Sequence, residues 1–176
     1  MATTNLESWA LVVLFGLAGF TLKLSDYTGE RSRGTTPFLI AGVCGLILGA
    51  LIAESPFSSS IVIGVIIGVG LSKKIDRRNL MFGLVMTAFS ALLFGPQIPA
   101  VLLLAVVALA SFLDELSHER LATRGGAGWL FRYRPILKAA IVVSAIALAL
   151  PWVYAVAFLF FDLSYDATGE LLIRMH

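Results

Sequence analysis

A chain of 176 residues that is 59% hydrophobic and 14% charged, with a mean hydropathy of +0.92, cannot be an ordinary soluble domain. Helices at a water-exposed surface need a polar face, and soluble chains average about 25% charged residues. The net charge of +2 carries no nucleic-acid footprint either, because the basic residues are sorted between alternate loops and not gathered on one element.

No charged residue occurs from Ser8 to Leu22, from Gly34 to Ala53, from Ser55 to Ser72, from Asn79 to Leu113, or from Ala139 to Phe161. A helix crosses the hydrocarbon of a bilayer, about 30 Å, in roughly 17–25 residues. The first predicted helix covers 9–24. It lacks a basic leader and an Ala-x-Ala cleavage site, so it is expected to be retained. The second, 37–53, begins at Pro37 and carries Gly42, Gly45 and Gly49; the third, 57–72, follows Pro56 and carries Gly64 and Gly68. Small residues at this spacing let two backbones approach closely. Packing of helix two on helix three is the expected use of them, and a homodimer through the same two helices is the alternative. Cys44, the single cysteine, reads as a small apolar filler.

The charge-free run from Asn79 to Leu113 is too long for one crossing. It breaks at Gly95-Pro96-Gln97-Ile98-Pro99, where two prolines and a glycine end one helix and start another. This predicts helices over 79–95 and 99–113. The last segment, 136–162, starts after Pro135. Ala147 to Val153 contains no glycine and no polar turn residue, so the expectation is one helix kinked at Pro151. The result is an all-α, polytopic transmembrane bundle of six helices forming a single domain, 1–176. A hairpin near Pro151 would make seven and move the C-terminus to the other side. One internal similarity goes with that alternative: Leu24-Ser25-Asp26-Tyr27-Thr28-Gly29-Glu30 resembles Leu163-Ser164-Tyr165-Asp166-Ala167-Thr168-Gly169-Glu170.

Orientation follows from the basic residues. Lys23, Arg31 and Arg33 flank the first loop, Lys73, Lys74, Arg77 and Arg78 the third, and Arg120, Arg124, Arg132, Arg134 and Lys138 the fifth. Only Arg174 falls outside this set. Short loops rich in lysine and arginine stay in the cytoplasm, so these loops are assigned there, with the N-terminus outside and the chain in the cell membrane.

Candidate chemistry sits at the membrane edge. Asp114, Glu115 and His118 follow the fifth apolar segment; on a continuing helix Asp114 and His118 are i,i+4 neighbours and Glu115 lies three residues before His118. Carboxylates and imidazole on adjoining faces point to a hard divalent cation such as Mg²⁺, with Asp76 from the third loop as a further ligand. The catalytic candidates are Asp114, Glu115, His118 and Asp26. Lys23, Lys74, Arg77, Arg132 and Arg134 are the candidate phosphate contacts, since ammonium and guanidinium groups hold phosphate oxygens. Carboxylates with cations at one membrane face are what a site for a phosphorylated lipid needs. The leading expectation is therefore an integral membrane enzyme acting on a phosphorylated or isoprenoid lipid at the cytoplasmic interface, with membrane lipids as partners and no nucleic acid. The alternatives are a small transporter or channel for a cation or proton that uses Asp114 and Asp162, and a non-catalytic membrane assembly protein. Depth separates them: carboxylates inside the helices favour transport, and an interfacial cluster favours the enzyme.

Overall fold

The structure is a computed structural model describing residues 7–32, 34–72, 77–121 and 134–175. The described residues form seven α-helices and no strand: α1 (Ser8–Arg31), α2 (Thr36–Glu54), α3 (Pro56–Leu71), α4 (Arg78–Phe94), α5 (Val101–Leu121), α6 (Pro135–Ala147) and α7 (Trp152–Arg174). α1, α2 and most of α5 are long and apolar enough to cross a membrane, while α3, α4 and α6 are shorter apolar helices. The hydrophobic core runs between the helices and includes Phe15, Leu51, Ile61, Val107, Ile141 and Phe158, all almost completely buried.

The six-helix expectation gives way to seven because the chain turns at 148–151. Pro151 lacks the N–H a continuing helix needs and disfavours helical geometry at the residue before it. Ala149 takes a left-handed conformation (φ 51°), and the next helix restarts with Tyr154 N–H bonded to the Pro151 carbonyl at 3.0 Å. No glycine or polar residue makes this turn; an alanine in the left-handed region does. α6 and α7 run antiparallel, since Lys138 near the start of α6 reaches Asp162 in the middle of α7. The other predicted break is present: Gly95 (φ 86°) ends α4. The stretch after it is tied down by Gln97 N–H to the Ile52 carbonyl (3.2 Å) and by Ser59 Oγ to the Gln97 carbonyl (2.9 Å).

Three helix pairs carry most of the packing: α1 with α7, α2 with α4, and α3 with α5. Each pair is parallel, because contacts advance along both helices together. Gly16 lies against Phe160 and Gly19 against the Phe161 backbone, and further along Tyr27 Oη donates to the Leu172 carbonyl at 3.3 Å. Gly45 meets the Gly83 carbonyl and Gly49 meets Ser90; Gly64 meets Val107 and Gly68 meets Ser111. The glycines of α2 and α3 are thus used against α4 and α5, and not principally against each other as the spacing suggested. The two similar segments lie side by side within α1 and α7, at the same end of the pair.

A side chain at Gly68 would place its Cβ 2.5 Å from Ser111 Cβ and 2.7 Å from the Ala108 carbonyl oxygen. Gly68→Leu is therefore expected to force α3 from α5 and cost about 1–3 kcal/mol. Thermal unfolding in detergent checks this; an unchanged midpoint would mean the α3–α5 contact is not made.

Candidate functional site

Charged side chains collect where the C-terminal parts of α1, α5 and α7 meet the heads of α4 and α6. On one flank, Lys23 Nζ lies 3.4 Å from Asp26 Oδ2. Arg77, just before α4, donates to Glu30 Oε1 at 2.7 Å and to the Asp26 carbonyl at 3.3 Å. Asn79 is buried beside them, its Nδ2 donating at 3.0 Å to both the carbonyl and the hydroxyl of Ser25. The sequence candidates Lys23, Asp26 and Arg77 therefore come together through α1 and α4.

The second flank is built around the start of α6. Asp114 of α5 is 1% exposed, and its two oxygens accept from the backbone N–H groups of Ile136 (3.0 Å) and Leu137 (2.6 Å). Those N–H groups belong to the first turn of α6, which has no helical partner for them, and the helix dipole favours a negative charge at that point. Asp114 thus caps a neighbouring helix. Glu115, 2% exposed, pairs through Oε1 with Arg134 Nη2 at 2.7 Å. Neither carboxylate is a solvated helix end. Burial alone would lower the pKa of Arg134, but the Tyr165 oxygen and the carboxylates of Glu115, Asp162 and Asp166 outweigh it and hold the guanidinium above its ordinary value.

Tyr165 of α7 joins the two flanks. Its ring centroid is 4.9 Å from Lys23 Nζ and 5.2 Å from the Arg134 guanidinium carbon, so both cations sit within cation–π reach. Deeper in, Lys138 Nζ is 2.6 Å from Asp162 Oδ2 and 3.7 Å from Asp166 Oδ2. A six-helix path would leave Asp162 at the end away from the basic loops; the extra turn of the chain reverses α7 and brings Asp162 against Lys138 of α6. Lys138, Tyr165 and Asp166 are not among the site candidates read from the sequence. The spacing of Asp162, Asp166 and Glu170 at successive i,i+4 steps was the signal for a shared face on α7.

His118 is half-buried on α5, one turn beyond Asp114. Lys74, Asp76 and Arg132 lie outside the described residues. Among the described residues, no three His, Cys, Asp or Glu side chains converge as a metal-holding group. Comparison with protein-family models, with curated proteins and with solved structures gives no match.

With both oxygens engaged on α6, Asp114→Ala would leave two buried N–H groups unmatched, and a loss of about 2–4 kcal/mol is expected. Asp114→Asn keeps one acceptor and should lose about half of that. Thermal unfolding with amide exchange over 136–140 reads the effect. Unchanged protection of Ile136 and Leu137 in Asp114→Ala would show that the carboxylate does not hold α6.

Proposed function

We propose that this chain is a polytopic protein of the cell membrane, with its basic ends in the cytoplasm and its N-terminus outside, and that it acts as an enzyme on a phosphorylated or isoprenoid lipid at the cytoplasmic interface. The seven-helix path supports this orientation. The parallel pairing of α1 and α7 brings Arg174 to the end that holds Lys23, Arg31, Arg77, Arg78, Arg134 and Lys138, leaving the opposite end, among the described residues, with the acids Glu7 and Glu54 and no lysine or arginine. Positive charge confined to one face is the strongest topological signal in a membrane chain.

The observation that carries the functional reading is the polar layer itself. Lys23, Asp26, Arg77, Glu115, Arg134 and Tyr165 gather at one end, and ionisable groups so near hydrocarbon are costly unless they bind something or pair. In this reading Lys23, Arg77 and Arg134 hold phosphate oxygens and Asp26, beside Lys23, handles the proton. Asp114 and Glu115 act one step removed: Asp114 positions α6 and Glu115 positions Arg134. A divalent cation on Asp114, Glu115 and His118 competes with those contacts. Calorimetry with Mg²⁺ or Mn²⁺ separates the roles: binding lost in Asp114→Asn at unchanged stability supports the metal, and lost stability without a change in metal heat supports the cap.

A second reading rests on Asp162 and Lys138. Asp162 lies ten residues into α7, about 15 Å from its start at the helical rise, near the middle of a bilayer of roughly 30 Å. A paired lysine and aspartate at that depth are what a proton or cation path uses.

The test is a purified protein in nanodiscs given a polyprenyl monophosphate or phosphatidic acid, with turnover followed by mass spectrometry. Lys23→Ala and Arg134→Ala should each cut turnover at least tenfold. Absence of turnover, with proton flux in proteoliposomes that Asp162→Asn abolishes, would replace the enzyme with a transporter. Cysteine labelling should find positions 31 and 174 on one side and position 97 on the other; 31 and 174 on opposite sides would reject the topology.

A further inference from the structure

α3 and α4 follow one another in the chain yet barely touch, because α4 packs along α2 and α3 along α5. Beside this gap lies an apolar cavity of about 140 Å³ walled by α1, α2, α3, α4 and α7. Its back wall is closed: Phe15, Phe158 and Phe161 are buried. Ile66 and Val69 on α3, and Leu80 and Leu84 on α4, are only half-buried. The cavity is therefore entered sideways, through the cleft between α3 and α4, from the region where hydrocarbon surrounds a membrane-spanning chain.

Water has little reason to fill this space. Ser25, Cys44 and Thr87 are the polar residues of its lining. The Thr87 hydroxyl is spent on the Gly83 carbonyl of its own helix at 2.9 Å, and Ser25 is held by Asn79. An apolar cavity of about 150 Å³ stays dry and accepts a guest the size of benzene, so this one has room for part of a hydrocarbon chain and not for a whole lipid. At the Ser25 end the lining stops, and the head of α4 brings Arg77, bridged to Glu30 at 2.7 Å, and the exposed Arg78. Guanidinium groups bind phosphate oxygens with fixed, bidentate geometry. Apolar cleft and arginine pair stand in the order of a lipid's tail and headgroup.

We propose that the α3–α4 cleft binds an anionic membrane lipid, one hydrocarbon chain entering the cavity and the headgroup phosphate lying against Arg77 and Arg78. The inference rests on the lipid reading above only for the nature of the headgroup; it adds the place where the chain goes and the side from which it enters.

The experiment uses the full-length protein in nanodiscs containing phosphatidylglycerol with a diazirine at the end of one acyl chain, or phosphatidylcholine with the same chain, and maps adducts by mass spectrometry after illumination. Adducts on Cys44, Leu48 or Val62 are expected with the anionic probe. They should fall at least fivefold when Leu84→Trp blocks the cleft, and at least fivefold in the Arg77→Gln, Arg78→Gln double variant. Val85→Trp, at a position 64% exposed and facing away from the cavity, should leave them unchanged. Adducts confined to outward residues such as Val85 and Leu92, or inner adducts indifferent to Leu84→Trp, would overturn the proposal. Equal inner labelling by the phosphatidylcholine probe would overturn it too, since the headgroup would then play no part. Cavity adducts without lipid turnover would instead remove the enzyme and leave this site standing.

Discussion

The arrangement depends on backbone-to-backbone approach between parallel helices. Association in an apolar surrounding gains nothing from hiding apolar surface, so close van der Waals contact has to hold the helices, and only small residues allow it. Gly19 against the Phe161 backbone, Gly45 against the Gly83 carbonyl and Gly68 against Ser111 are the points where this happens. Because each pair is parallel, like ends are brought together. The polar C-terminal turns of α1 and α7 cannot be separated once their glycines are in contact, and Lys23, Tyr165 and Asp166 are neighbours as a result.

Gathering charges this way has a cost that the ion pairs offset. Taking a carboxylate out of water is unfavourable by several kcal/mol after relaxation, roughly what good geometry with a cation or with N–H donors returns. Each deeply buried acid of the basic end has such a match: Asp114 with two N–H groups, Glu115 with Arg134, Asp162 with Lys138. All of these partners come from residues 134–138. A five-residue stretch at the head of α6 therefore neutralises acids from both α5 and α7, which makes α6 the electrostatic link between otherwise separate parts of the fold.

Much of this was legible in the sequence, and the misses have physical causes. Charge-free runs located the helices, and Gly95-Pro96 located a turn, because a run of uninterrupted apolar residues and a glycine–proline break have few other meanings. The turn before α7 escaped because it uses Ala149 in a conformation normally left to glycine or asparagine. The glycine spacing showed that backbones would meet but not which ones: a small-residue stripe carries no partner address, and α2 chose α4, two helices away. For the candidate site, the grouping of Asp114 with Glu115 was readable from adjacency. Their partners Arg134, Ile136 and Leu137 were not, since long-range pairing at a helix head leaves no periodic trace. Asp162 follows a long uncharged run, and which side chains it meets depends on the turn before α7.

The shortness of α6 has a consequence of its own. Its 13 residues rise about 20 Å, against roughly 30 Å of hydrocarbon, and its head is tied to Asp114 and so lies below the end of α5. A segment this short does not cross the hydrocarbon unaided, so the N–H groups of its first turn need an acceptor inside the protein, and the Asp114 carboxylate supplies it.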